Sequence, residues 1–372
     1  MFEKEILREA EDFSLFLKEN PALDMEEIEK CLSQNRLTEY PLSNSLQVKY
    51  WWVTYEHSKE LRGLMDISDS QKTVEQKILQ SLMYSQLPLQ ALSPVYLCLG
   101  TGQGPGTLAT AFGMELNESA ANSPTGRMTA DEILEKGMPD PRKAGILPDI
   151  FDFIRTAKNL TPDCVKIGPP DTQGPYNLAH MLLGEEIFFL PEDDPEKMDA
   201  LLTLITDFYI AFHKEFRAAV GETRYPSGPN ARIRLRLCSC NLISAESYRT
   251  HVLKHDRRLA ECFGEIGVHP CGARHVFLEA IRGIPQVGFI EAVAFDQTQT
   301  PQISAEEAIR EIGDRPVRLE MAKKAALDTV RDMILQDYEV TRKHPTFAYF
   351  YDIDGLTLAQ AKELRKWMIS SW

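Results

Sequence analysis

The sequence predicts an α/β protein built as a (β/α)8 TIM barrel with a helical N-terminal extension. Three observations carry that expectation. From Val95 onward, short apolar runs alternate with long amphipathic segments, the pattern of parallel strands joined by right-handed crossovers. Seven such runs can be picked out, which fits an eight-stranded barrel with one strand unrecognised better than an open sheet. Two long loop-like stretches, Gly100 to Gly106 and Asn117 to Pro148, each follow an apolar run, and in a barrel such loops form the C-terminal rim where active sites assemble.

Residues 1–90 are expected to form the helical extension, packed on a catalytic barrel over 91–372. The early apolar positions Ile6, Phe13, Leu15 and Phe16 lack strand alternation, and Tyr50, Trp51, Trp52 and Tyr55 form an aromatic cluster suited to packing. The expected strands are Val95–Leu99, Cys164–Ile167, Ile233–Leu237, Ile266–His269, Phe289–Val293, Val317–Leu319 and Phe347–Tyr351. Between them lie expected helices over Pro195–Val220, Ala245–Phe263, Ala305–Ile312, Met321–Asp337 and Leu358–Trp367, with a short one near Ala130 to Lys136.

Composition narrows the function. The 372 residues carry 41 Lys and Arg against 55 Asp and Glu, a net charge of −14, which argues against nucleic acid as a partner because such binders need a basic face. A hydrophobic content of 43% with 26% charged residues is that of a globular protein. Apolar stretches such as Leu201 to Ile210 fall short of the roughly 20 residues a membrane helix needs, so no membrane partner is expected. The opening Met1-Phe2-Glu3-Lys4-Glu5 has neither a basic leader nor an apolar run; the expected compartment is cytoplasmic, and the seven cysteines are expected to be reduced thiols.

The sharpest local signal is Gly267-Val268-His269-Pro270-Cys271-Gly272. His269 and Cys271 stand two apart at a strand end, so an extended backbone would send both side chains to one face, where an imidazole and a thiolate can hold two corners of a tetrahedral zinc ion. The run Arg232-Ile233-Arg234-Leu235-Arg236-Leu237-Cys238-Ser239-Cys240 alternates strictly. If the strand stays regular, Ile233, Leu235 and Leu237 face the helices, the arginines face the lumen, and Cys240 or Cys238 reaches the C-terminal rim as a third ligand. Glu291, Glu320 and Asp352 also follow apolar runs and are candidates for a ligand, general acid or orienting partner. Asp171 and Gln173 stand in a loop before a helix beginning near Tyr176. The glycines of Gly100 to Gly106 lack the Lys-Ser/Thr of a phosphate loop, and Pro105 removes a backbone donor.

Several segments together resemble the uroporphyrinogen decarboxylase superfamily. They are Gln173-Gly174-Pro175-Tyr176-Asn177-Leu178-Ala179 with Gly184 and Asp194-Pro195-Glu196, then Ile243-Ser244-Ala245-Glu246-Ser247-Tyr248-Arg249, then His269-Pro270-Cys271-Gly272; Ala111-Phe112-Gly113-Met114-Glu115 is similar to a phrase of the methyltransferase-like branch. The Arg-Gln-Ala-Gly-Arg-Tyr motif of the true decarboxylases is absent, and Tyr50-Trp51-Trp52-Val53-Thr54-Tyr55 stands in that region. The resemblance implies a barrel and points to the corrinoid-dependent methyltransferases, in which zinc held by His-x-Cys and a distant Cys activates a methyl acceptor or donor. No Cys follows Cys271, so Cys240, Cys238 or a carboxylate would complete the set.

The expected function is therefore zinc-dependent methyl transfer between a small substrate and a corrinoid (cobalamin) carried by a partner protein. His269, Cys271 and Cys240 are the expected metal ligands, Glu291, Glu320 and Asp171 the catalytic candidates, and Gln173, Tyr176, Arg236 and Tyr349 the substrate contacts. The alternatives are a cofactor-free decarboxylase, with Arg232, Arg234 and Arg236 meeting substrate carboxylates, and a noncatalytic small-molecule-binding barrel.

Overall fold

The computed structural model describes residues 46–49, 71–90, 98–101, 104–117, 123–163, 165–226, 233–269, 274–293, 305–313, 318–324 and 347–352, with isolated positions toward either end. Ten strands lie within them. β1 (Leu46–Lys49), β10 (Phe347–Asp352), β9 (Arg318–Lys324), β8 (Val287–Val293), β7 (Ile266–His269) and β6 (Arg234–Arg236) form one six-stranded parallel sheet in that order. β2 (Cys98–Gly100) pairs in parallel with β5 (Lys166–Gly168), and β3 (Glu115–Asn117) pairs with β4 (Ser123–Thr125) as a small antiparallel hairpin.

Leaving the hairpin aside, eight parallel strands follow one another in chain order, as in a (β/α)8 barrel. Ladder hydrogen bonds join six of the eight seams; none is present between β1 and β2 or between β5 and β6 among the described residues. The barrel expectation is thus met in part: the strands are parallel within each sheet and their number and chain order fit, while no closed barrel is seen among the described residues. The unrecognised eighth strand is β1. It lies inside the segment read as helical; Leu46-Gln47-Val48-Lys49 alternates apolar and polar but over only four residues, and its pairing with β10 is what fixes it as a strand. The aromatic cluster at Tyr50 to Tyr55, Arg232 and most of the expected Leu358–Trp367 helix lie outside the described residues. Met321 to Lys324, expected to open a helix, continue β9 instead, paired on both sides.

Helices α1 (Val74–Gln90), α2 (Ala130–Lys136), α3 (Leu147–Leu160), α4 (Pro175–Leu183), α5 (Glu186–Asp193), α6 (Pro195–Val220), α7 (Leu253–Phe263), α8 (Arg274–Gly283) and α9 (Ala305–Ile312) lie between or beside the strands. α6 is the main packing element. Its start is fixed by the Asp194 carboxylate, which accepts from the Lys197 N–H, and by Pro195 in the first turn. One stripe of it, Leu201, Leu202, Ile205, Phe208, Phe212 and Phe216, is completely buried, at the three- and four-residue spacing of a helix face. Phe208 meets Phe112 edge-on at 5.1 Å. α7 is entered through a single turn over Ala245–Ser247 and a π-turn over Tyr248–Val252.

The strand rows show which way the sheet faces. Leu235, Val268 and Ile290 are register neighbours, all buried in the apolar core, so the opposite face carries Arg234, Gly267 and Phe289. Gly267 is required there, since a Cβ would come within 3.0 Å of the Phe289 ring and 3.4 Å of the Arg234 stem. The Arg234 guanidinium lies 5.4 Å from the Phe289 ring centroid.

At the base of β5, buried Arg224 donates from Nε to the Val165 carbonyl at 2.9 Å and from Nη1 to the Thr161 carbonyl at 3.2 Å and the Ala157 carbonyl at 3.4 Å, with Nη2 bonded to the Thr161 hydroxyl. Its own carbonyl accepts from the Ile167 N–H at 2.9 Å. One guanidinium thus ties the end of α3 to the strand that carries the candidate site. Arg224→Met, which keeps most of the apolar stem but removes the donors to the Val165 and Thr161 carbonyls, is expected to lower unfolding free energy by about 3 kcal/mol in urea titration.

Candidate active site

Two of the expected substrate contacts, Gln173 and Arg236, meet the catalytic candidate Asp171 at the C-terminal ends of β5 and β6. The loop after β5 runs Pro169 to Gly174 before α4 begins at Pro175. Asp171 Oδ1 accepts from the Gln173 backbone N–H at 3.3 Å, from Gln173 Nε2 at 2.7 Å and from Arg236 Nε at 2.9 Å. Gln173 Oε1 accepts from Asn177 Nδ2 at 3.0 Å, and Asn177 Oδ1 accepts from the Ser239 backbone N–H at 2.9 Å. Asp171, Gln173 and Arg236, three of the residues expected from sequence, are therefore in direct contact.

A second chain pins the same loop from below. Tyr209 OH donates to the Gln173 carbonyl at 3.0 Å, so its oxygen accepts from the Thr172 hydroxyl at 2.8 Å. Thr172, its hydrogen committed, accepts from His213 Nε2 at 3.0 Å. His213 is thereby the Nε2-protonated tautomer, and burial pushes its pKa down to about 3, so it stays neutral. Between the two chains Gln173 holds φ +58, the one left-handed non-glycine residue among those described. Such a conformation persists when surrounding bonds over-determine it, and it concentrates at functional sites. Gly174 follows because a Cβ there would lie 3.0 Å from the Arg236 carbonyl oxygen.

β7 brings His269 alongside. It is the register partner of Arg236, its carbonyl accepts from the Leu237 N–H at 2.9 Å, and it is 8% exposed. One position along from the Val268–Ile290 pair comes Glu291, itself in register with Glu320 of β9. Arg236, His269, Glu291 and Glu320 thus occupy one lateral row across four neighbouring strands. Tyr349 lies one residue beyond the row on β10, paired with Met321 and Leu46. Cys271 lies outside the described residues.

The expectation for the cysteines changes. The strand does not stay regular to residue 240: it ends at Arg236, and Cys238–Leu242 turns as a 3-10 helix. Cys240 is completely buried in the apolar core, where burial, with Asp256 and Cys238 nearby, pushes its thiol well up. Cys240 thus sits in the apolar core rather than along the strand line that carries Arg236, which is not where the regular strand would have placed a third ligand. Among the described residues no three His, Cys, Asp or Glu side chains gather in a metal-binding group. Tyr176 also departs from expectation: it is 2% exposed, its hydroxyl has no hydrogen-bond partner among the described residues, and burial raises its pKa. It stands in the first turn of α4, buried in the apolar core near Cys240.

Sequence reasoning missed Thr172, Asn177, Tyr209, His213 and Ser239. Only Asn177 carried a readable signal, standing four residues after Gln173 where a helix brings side chains together. A further buried pair lies behind the 3-10 turn, where Tyr248 OH donates to Asp256 Oδ2 at 2.7 Å and burial raises Asp256 to about 7.

No family model matches the sequence. A methyltransferase from Methanosarcina mazei of solved structure shares the fold with a TM-score of 0.64 at 15% identity, over 92% of this chain and 98% of that one. In sequence, 132 residues are 33% identical to a protein of the same organism named Methylated-thiol--coenzyme M methyltransferase, the match covering 34% of this chain and about a third, 32%, of that relative's length. Both are methyltransferases, which bears out the resemblance to the methyltransferase-like branch over the decarboxylases. No helix among the described residues is long and apolar enough to cross a membrane.

Thr172→Val keeps shape and removes the hydroxyl that joins His213 to Tyr209; a stability loss of about 1–3 kcal/mol is expected by chemical denaturation. Asp256 gives a signed pH dependence. Its ordinary value is 3.8 and its folded value about 7, so between these the unfolded chain has released a proton that the folded one retains, and its contribution falls as pH rises across that window. Asp256→Asn, which can still accept from Tyr248, should gain on wild type in melting temperature from about pH 4 to pH 7 and hold a constant lead above it.

Proposed function

We propose that the protein moves a methyl group between a small sulfur compound and a corrinoid carried by a partner protein. The observation that carries this reading is the convergence of Asp171, Gln173, Arg236 and His269 at one strand rim, in a chain that shares its fold with a methyltransferase over 92% of its length. The sulfur class comes from the methylated thiol in the name of the sequence relative.

In this reading Arg236, held through Nε by Asp171, presents a cation to an anionic end of the substrate. Gln173 and Asp171 fix its orientation. With Cys240 in the core, His269 and Cys271 are the first two metal ligands, and Glu291 or Glu320, from the same row of strand positions as His269, completes the set. When bound, zinc supplies Lewis acidity that lowers the pKa of a sulfur or oxygen donor at neutral pH. The glutamate left over serves as the acid or base that handles the substrate proton.

The test uses methylcobalamin as the methyl-bearing corrinoid with a series of small thiols, and follows decay of its visible spectrum and the methylated thiol formed. Turnover that drops by about tenfold or more in kcat/KM in Arg236→Gln supports the assignment. No transfer with any thiol, by protein that is folded and zinc-supplemented, overturns it. Elemental analysis of the same preparations should give about one zinc per chain, retained in Cys240→Ala and lost in His269→Ala. Loss in Cys240→Ala would restore the thiol as ligand.

A further inference from the structure

The β5/β6 seam has no ladder hydrogen bonds among the described residues, yet the loop after β5 comes so near β6 that a Cβ on Gly174 would lie 3.0 Å from the Arg236 carbonyl oxygen. The side chain best placed to hold them is Asn177, 1% exposed in the first turns of α4. It reaches back to Gln173 and across to Ser239 in the 3-10 turn after β6.

Its two bonds have a fixed sense. The Asp171 carboxylate only accepts, so Gln173 must turn Nε2 toward it and Oε1 toward Asn177. The Ser239 N–H only donates, so Asn177 must turn Oδ1 toward it and Nδ2 toward Gln173. Both ends therefore demand the same amide orientations, and a side chain with one donor and one acceptor at this spacing satisfies them. A carboxylate at this position would bring two acceptors together, and an aliphatic residue would leave Gln173 Oε1 and the Ser239 N–H unpaired.

We propose that Asn177 is a positioning residue that clasps the unladdered seam and holds Gln173 and Asp171 in register with Arg236, making it a determinant of substrate specificity without touching substrate. The specificity part rests on the methyl-transfer reading above; the clasp itself does not. Ser239 carries the clasp onward, since its hydroxyl bonds His180 Nδ1 at 2.9 Å, so the turn after β6 is anchored to α4 at two points.

The experiment compares wild type, Asn177→Ala and Asn177→Asp. Hydrogen exchange by mass spectrometry over residues 237–242 should speed up by about tenfold in Asn177→Ala and stay near wild type in Asn177→Asp, which keeps the acceptor for Ser239. Asn177→Asp should lower the melting temperature, because like acceptors meet. In methyl-transfer kinetics, Asn177→Asp should raise KM several-fold with kcat little changed. Unchanged exchange in Asn177→Ala, or exchange that speeds up as much in Asn177→Asp, overturns the clasp. A KM that does not rise in Asn177→Asp overturns the specificity role. If wild type transfers no methyl group, the methyl-transfer reading and the specificity role that rests on it both fail, while exchange still decides the clasp.

Discussion

The candidate site depends on hydrogen bonds whose direction is set by groups that cannot reverse. A carboxylate with no proton to give sits at one end of the rim chain and a backbone N–H with no lone pair to offer at the other. Beneath it, a backbone carbonyl plays the same part for Tyr209, Thr172 and His213. Every intermediate hydroxyl and amide is thereby oriented without choice. Buried polar groups are costly when half-satisfied and rigid when fully satisfied; here the rigidity falls on the residue, Gln173, whose backbone is least at ease.

Burial sets the charges around this frame. His213 is kept neutral far below its ordinary range, Asp256 retains its proton toward neutrality, and the Cys240 thiol is held as a thiol. The titratable groups buried behind the rim are therefore biased toward their uncharged forms. The ionised Asp171–Arg236 pair instead stands partly open to solvent, where charge costs little to maintain and a charged ligand can meet it.

Much of the fold was legible because apolar periodicity reports burial directly. Pro195–Val220, Ala305–Ile312 and Ile266–His269 coincide with their expected bounds. Leu46–Lys49 was not legible, because four residues hold too little pattern to outweigh their helical surroundings. At the site, alternation correctly placed Leu235 and Arg236 on opposite faces but could not announce where it stops, and the 3-10 turn at Cys238 carried Cys240 into the core. Asp171, Gln173 and Arg236 were readable as polar residues near strand ends. Tyr209 and His213 were not, because in sequence they are two more members of an apolar helix stripe.

The pairing of β1 with β10 has a kinetic side. Leu46 finds its partner only at Tyr349, so as the chain emerges during synthesis the first strand waits for the last with its hydrogen-bonding edge open. Contacts that span nearly a whole chain form late and pay their loop-closure entropy in full. The molecule is thus most exposed to edge-to-edge association just before its final strand arrives.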